Sequence, residues 1–116
     1  IDCIDEKKRV GVCIDTQHAW ASGYDWRNNF DNIWDDFENT VGMEYLVALH
    51  LNDSKSDLGS RVDRHDNIGM GKIGEKTFKS LLQEKRLERL AGYLETPGGP
   101  EMWKAEIAVL RKLAEE

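Results

Sequence analysis

The sequence predicts an α/β fold with parallel strands, and three observations point there. Three short apolar runs, at 10–14 (VGVCI), 45–51 (YLVALHL) and 91–94 (AGYL), are near-continuous rather than alternating. That is the pattern of strands buried on both faces of a parallel sheet. Apolar residues between and after the runs recur at spacings of three and four, which is helical. Each run also ends at or near an acid or a histidine: Asp15, His50 and Glu95.

The chain opens on IDCIDEKKR, which carries no helix-start signal and reads as the tail of a preceding helix. After the first strand, Phe30, Ile33, Trp34, Phe37 and Val41 line one helical face, and Gly42 is placed to stop that helix. The second strand leads into residues 53–74, a stretch of turn formers and charge almost without apolar periodicity. Loops this long inside compact domains are usually functional or disordered, and the Asp63, Arg64, His65 triplet favours function. A second helix follows Gly74 and uses Phe78, Leu81 and Leu82, broken or extended near Leu87 and Leu90. The third strand precedes a last helix that opens near Pro100 and turns Trp103, Ile107, Leu110 and Leu113 or Ala114 inward.

The order is thus β-α-β-α-β-α, which demands right-handed crossovers and a doubly wound or barrel architecture. A closed (β/α)8 barrel needs roughly 250 residues. The 116 residues here therefore predict either an open three-stranded sheet or part of a larger barrel. Composition marks no boundary within the chain, so one domain is expected.

Charge and cysteine content narrow the function. Twenty-two acidic against 16 basic residues give a formal net charge of -6, which argues against a domain that holds nucleic acid through its own net charge. Bound divalent cations would reverse that locally. Cys3 and Cys13 read as reduced thiols, and Cys13, inside an apolar run, as a small buried side chain. With neither a secretory apolar segment nor a run of 18 apolar residues, an intracellular protein without membrane contact is expected.

All three histidines sit beside acids at strand ends: Asp15 with His18, His50 in LVALHLND, and Asp63 with His65. Together with Glu95 they make six donors in the topological position where parallel α/β folds collect their chemistry. Taken singly, each has a bland alternative, a surface hydrogen-bonded pair or a structural ion pair. Their shared location is what carries a metal site. Mixed imidazole and carboxylate donors suit Zn2+ or Mn2+ better than an all-oxygen cage. Six donors exceed the needs of one tetrahedral ion, so more than one metal is expected. Clustered divalent metals activate water and stabilise the oxygens of a phosphate undergoing in-line displacement, which points to phosphoester hydrolysis.

Other residues stay open at this level. Phe30, Trp34 and Phe37 are at core spacing, whereas Trp20, Tyr24 and Trp26 crowd the segment after His18 and suit substrate contact or packing equally. Arg61, Arg64, Lys55 and Lys72 fall in the long loop, placed to meet phosphates or simply solvated. The run GMGKIG lacks the spacing of a dinucleotide fingerprint and follows no strand.

The segments GVCIDTQHAWASGYD, LHLNDSK, GSRVDRHDNIGMGKIG and YLETP, in this order and spacing, closely resemble the endonuclease IV family of apurinic/apyrimidinic DNA endonucleases. The resemblance implies a partial TIM (β/α)8 barrel, with residues 1–116 as the C-terminal part of a xylose-isomerase-like barrel and its last three βα units. It further implies a zinc-dependent hydrolase of base excision repair that cuts the DNA backbone 5′ to an abasic site and leaves a 3′-hydroxyl. Asp15, His18, His50, Asp63, His65 and Glu95 match metal-ligand positions. His18, Asp63 and His65 would hold one zinc. Asp15, His50 and Glu95, the expected catalytic set, would hold a second together with a glutamate from the earlier half. That glutamate, and two histidines for a third zinc, have no counterpart in this chain. Arg64 matches a position near the DNA backbone, and Tyr24 is a further candidate DNA contact. The implied partners are double-stranded DNA with abasic sites and the N-terminal half of the same barrel. Gln17 departs from the family, standing where its DTCH motif has cysteine. Two rival expectations are a metal-dependent sugar isomerase or epimerase of the same superfamily, and a non-catalytic half-barrel.

Overall fold

The computed structural model describes residues 11–116. Val10, Cys3 and the expected helix tail in IDCIDEKKR lie outside the described residues.

The elements follow the expected order, with additions. Strand β1 (Val12–Asp15) leads directly into α1 (Thr16–Ala21), and α2 (Phe30–Thr40) precedes β2 (Leu46–His50). After β2 come the short strands β3 (Asp53–Ser54) and β4 (His65–Asp66), then α3 (Glu75–Gln83), β5 (Ala91–Tyr93) and α4 (Gly99–Glu115). The main sheet has the order β1-β2-β5 and is parallel throughout, as right-handed βαβ crossovers require. Gly42 ends α2 as its glycine signal predicts, at φ 106°, a conformation that a side chain disfavours.

The core lies between the sheet and the helices. Trp26, Trp34, Leu46, Leu49, Phe78, Leu81, Leu110 and Leu113 are buried in it, and Phe30, Ile33 and Phe37 pack against it from α2. Leu49 pairs with Ile14 and Gly92 in one row on the core side. On the opposite face, one row is Cys13, Ala48 and Ala91 and the next is Asp15, His50 and Tyr93.

Three expectations are corrected here. Among the described residues the strands are not buried on both faces: Val47 is 56% and Tyr93 54% exposed, because the helices cover only one side. Cys13 is exposed for the same reason, since it projects from the uncovered face. In α4 the inward stripe is Glu106, Leu110 and Leu113, whereas Ile107 is 44% exposed. The helix is turned so that a carboxylate, not an aliphatic group, occupies the inner position nearest the strand ends.

The long segment after β2 is ordered by its own polar groups. Asp53 pairs with Asp66 and Ser54 with His65 in an antiparallel ladder. Asp53, fully buried, accepts hydrogen bonds from the backbone N–H groups of Ser54 (2.8 Å), Gly69 (3.0 Å), Gly71 (3.1 Å), Ile73 (2.9 Å) and Gly74. Burial pushes its carboxyl above the ordinary value, while the amides of Ser54, Gly71, Ile73 and Gly74 act in the opposite direction. The glycine-rich run GMGKIG is thus an amide nest whose anion is a side chain of the same chain.

Candidate metal centre

Parallel pairing places Asp15 beside His50, and His50 beside Tyr93, at the carboxyl ends of the three strands. Asp15 divides its oxygens between two tasks. Oδ1 caps α1 by accepting from the N–H of Gln17 (2.9 Å) and His18 (3.2 Å), while Oδ2 lies 3.5 Å from His65 Nε2. The cap thus fixes both the carboxylate and the start of the turn that carries His18.

Asn52, fully buried, joins the strand ends. Its backbone N–H donates to Thr16 Oγ1 (2.9 Å), and that hydroxyl donates to the Asn52 carbonyl (2.7 Å). Its side-chain Oδ1 accepts from the N–H of Glu95 (2.9 Å), and its Nδ2 reaches toward Asp15 Oδ2 at 3.4 Å. Glu95 contacts His50 Nδ1 through its carboxylate and accepts from His65 Nδ1 with its backbone carbonyl.

Asp63 comes from the loop and bridges two rings. One oxygen is 3.3 Å from His18 Nε2 and the other 3.2 Å from His65 Nε2. Gln17, fully buried on α1, donates through Nε2 to Val62 O (2.9 Å) and to the hydroxyls of Ser54 and Ser56 (3.2 Å each). The helix that bears His18 is therefore tied to the residue immediately before Asp63.

All six predicted ligands, together with Cys13, line one open cavity of about 420 Å3. Among the described residues, only Asp15, His50 and Glu95 bring three donor atoms all within 4.8 Å of one another. The set read from sequence as open on one side is therefore the tighter one. His65 sits between both sets, facing Asp63 and Asp15 at once.

The donors fit a divalent cation. His65 Nε2 is buried without a hydrogen-bond partner, and its ring is anchored through Nδ1, an arrangement that aims a free lone pair at the cavity. Its 3.2 Å separation from Asp63 Oδ1 is close to the ligand-to-ligand edge of roughly 3.3 Å in a tetrahedron with ~2.0 Å bonds. Asp15, His18, Asp63 and His65, linked by contacts of 3.2 to 3.5 Å, gain from positive charge between them.

The remaining candidates are distributed outside this cluster. Arg64 is exposed between Asp63 and His65, and Tyr24 is 55% exposed beyond α1. Trp20 and Trp26 are packing residues: their indole N–H groups donate to Ser56 O (3.1 Å) and Thr16 O (2.9 Å), and both rings are buried. Lys72 pairs with Asp57 at 3.7 Å.

Sequence reasoning overlooked Asn52, Asp53 and Glu106. Glu106, 4% exposed on α4, accepts from Ile68 N–H (2.7 Å), Thr96 Oγ1 (2.5 Å) and Asn67 Nδ2 (3.1 Å). It thereby joins the loop after His65 to the residue after Glu95. The available signals were slight: two polar residues closing LHLND, and one acid on the inner face of an amphipathic pattern.

Comparison with known proteins agrees with this architecture. The profile of the xylose isomerase-like TIM barrel family matches residues 1–113. The chain is 49% identical over 111 residues to the probable endonuclease 4 of Phocaeicola vulgatus, covering 96% of this chain and 40% of that protein. It is 48% identical over 118 residues to the probable endonuclease 4 of Chlorobium limicola, covering 100% of this chain and 40% of the relative. The crystal structure of endonuclease IV from Thermus thermophilus superposes with a TM-score of 0.82 at 42% identity, over 90% of this chain and 39% of that one. The chain thus spans about two fifths of the length of these relatives.

Proposed function

Because this chain belongs to the endonuclease IV family of xylose isomerase-like TIM barrels, we propose that it is the C-terminal part of a zinc-dependent apurinic/apyrimidinic endonuclease. The complete protein would hydrolyse the DNA phosphodiester 5′ to an abasic site and leave a 3′-hydroxyl. The observation that carries this reading is the convergence of six imidazole and carboxylate donors on one cavity at the carboxyl ends of parallel strands.

Asp15, His50 and Glu95 would hold one cation, and His18, Asp63 and His65 another. A divalent cation there supplies charge that polarises phosphoryl oxygens and makes water more acidic. The chain's own groups do the rest. Asp15 and His65 are fixed by the α1 cap and the Glu95 carbonyl, so the donors are set before substrate arrives. Arg64, exposed beside the donors, would meet a phosphate, and Tyr24 would touch the DNA farther out. The uncovered sheet face, with Val47 and Tyr93, is where the N-terminal half of the barrel would pack and contribute its own ligands. No described helix is long and apolar enough to cross a membrane.

The test is incision of a duplex bearing one abasic site by the full-length protein, before and after exhaustive chelation and with zinc restored. Cleavage 5′ to the lesion that disappears with the metal and returns with it is expected. Metal-independent cleavage, or none with the zinc-loaded protein, would overturn the proposal.

A further inference from the structure

We propose that Asp53 is a positioning residue for metal binding, acting through the two-stranded β3–β4 ladder and the amide nest that follows it. The inference rests on the metal-dependent reading above and adds a residue that neither touches a donor nor faces the cavity.

The physical chain runs through hydrogen bonds. Asp53 is fully buried, and its two oxygens take five backbone N–H groups, from Ser54, Gly69, Gly71, Ile73 and Gly74. Every one of these donors is a rigid peptide group. Their N–H groups, which are all that faces Asp53, cannot accept, so only a group that accepts at both ends satisfies the nest. The neighbouring Ser54 pairs with His65, and Asp53 itself with Asp66. Lys55 N–H donates to the Arg64 carbonyl (3.0 Å) and Lys72 N–H to the Ser54 carbonyl (2.7 Å). The segment from Asp63 to His65 is therefore fastened to β3, and β3 is fastened to the nest that Asp53 organises.

Elsewhere the loop is tied at Val62 by Gln17 and Ser56, at His65 by the Glu95 carbonyl and at Ile68 by Glu106, whereas the run 69–74 is joined to β3 through Asp53 and the Lys72-to-Ser54 bond. Asp63 and Arg64 are exposed, and the apolar contribution comes from Ile68 and Ile73 alone. Losing the nest would leave the buried N–H groups of Ser54 and Ile73 and the half-buried ones of Gly69, Gly71 and Gly74 unpaired, and the loop would move to find water. His65 and Asp63 would move with it. A second observation locates the same contact: a Cβ on Gly71 would meet Ser54 O at 2.5 Å and Asp53 Oδ1 at 2.6 Å, although the backbone there is not left-handed. Close approach to the Ser54 carbonyl and the Asp53 carboxylate, not chain conformation, thus requires glycine at position 71.

The experiment measures zinc affinity of the full-length protein by competition with a chromophoric chelator. Visible absorption of the cobalt-substituted protein reports coordination geometry, and thermal melts report global stability. In Asp53→Asn one oxygen becomes an amide donor facing peptide donors. Gly71→Ala disturbs the same contact without changing charge. Leu113→Ala, in the last turn of α4 and remote from the cavity, is the control for lost stability. The expected result, at temperatures where each variant is folded, is zinc affinity lowered at least about tenfold in both nest variants, with an altered cobalt spectrum and no such change in Leu113→Ala. If Asp53→Asn does not fold, Gly71→Ala decides by the same criterion. Affinity within about twofold of the parent in the nest variants, or an equal loss in the control, overturns the positioning role. A parent protein that binds no zinc fails the underlying functional reading instead, and that outcome is distinct because it precedes any comparison of variants.

Discussion

His65 Nδ1 lies 3.1 Å from the backbone carbonyl of Glu95, so the ring of one predicted ligand is oriented by the main chain of another. That bond fixes the proton on Nδ1 and leaves Nε2 free to face Asp63 and Asp15. It also couples the two ligand sets that sequence reasoning separates. A shift of Glu95, two residues beyond the end of β5, would turn the His65 ring.

His65→Ala removes the imidazole that belongs to one set and faces Asp15 of the other. Metal content and abasic-site incision should therefore fall together in the full-length protein, with incision reduced at least about 100-fold. Metal analysis and a gel-based cleavage assay on the same preparation check this. Incision at parental rates would refute the ligand assignment. The parental metal count also separates the rivals, since about three metals per chain would favour the nuclease and one or two the isomerase.

Gln17→Ala tests the tie between α1 and the loop. Its Nε2, fully buried, shares two N–H hydrogens in bonds to Val62 O and the hydroxyls of Ser54 and Ser56. Their loss, with the Val62 carbonyl and the serine hydroxyls left to re-pair, should cost about 2 kcal/mol. A denaturant titration should show this as a lower midpoint with an unchanged slope. Asp15→Asn, which retains a capping oxygen, should cost far less.

The main sheet and the meeting of the six acid and imidazole residues at one cavity were legible because each rests on a local signal: apolar runs for β1, β2 and β5, and acid or imidazole groups near their ends. Gly42 and Gly74 announced helix boundaries through their backbone freedom. The residues that were not legible act at long range. Asp53 is adjacent in sequence to Asn52 and Ser54, ordinary turn company, and its five donors are up to 21 residues away. Glu106 occupies an inner helix position that periodicity reserves for an apolar group, and its partners lie on two different loops. Buried carboxylates of this kind are chosen by the amides around them, which a one-dimensional pattern does not display.

Glu106→Leu keeps the volume of the side chain roughly constant and removes its acceptors. Ile68 N–H and the Thr96 hydroxyl would then be buried without partners, which should destabilise the fold by about 3 kcal/mol. Glu106→Gln retains one oxygen for Ile68 and should recover much of that loss, because the Thr96 hydroxyl can accept from the new amide. Thermal melts of the two variants decide it. Equal stability would mean that α4 packs through Leu110 and Leu113 alone.

Cys13 stands on the uncovered sheet face within the cavity that the six donors line. Partial burial of its thiol pushes the pKa above the ordinary value. The Asp15 and Glu95 carboxylates push the same way, against a backbone hydrogen bond at His50 that lowers it. The folded protein therefore favours the neutral thiol, and at any given pH it holds less thiolate than a free cysteine. Alkylation by iodoacetamide depends on thiolate. In a Cys3→Ser background stripped of metal, the rate should therefore stay low through neutral pH and rise only above about pH 8.5, where an unperturbed thiol is half ionised. Unfolding the protein in denaturant should shift the profile to lower pH. A folded-state profile that is half-maximal below that of the denatured chain would show that the carboxylates and the partial burial do not govern this thiol.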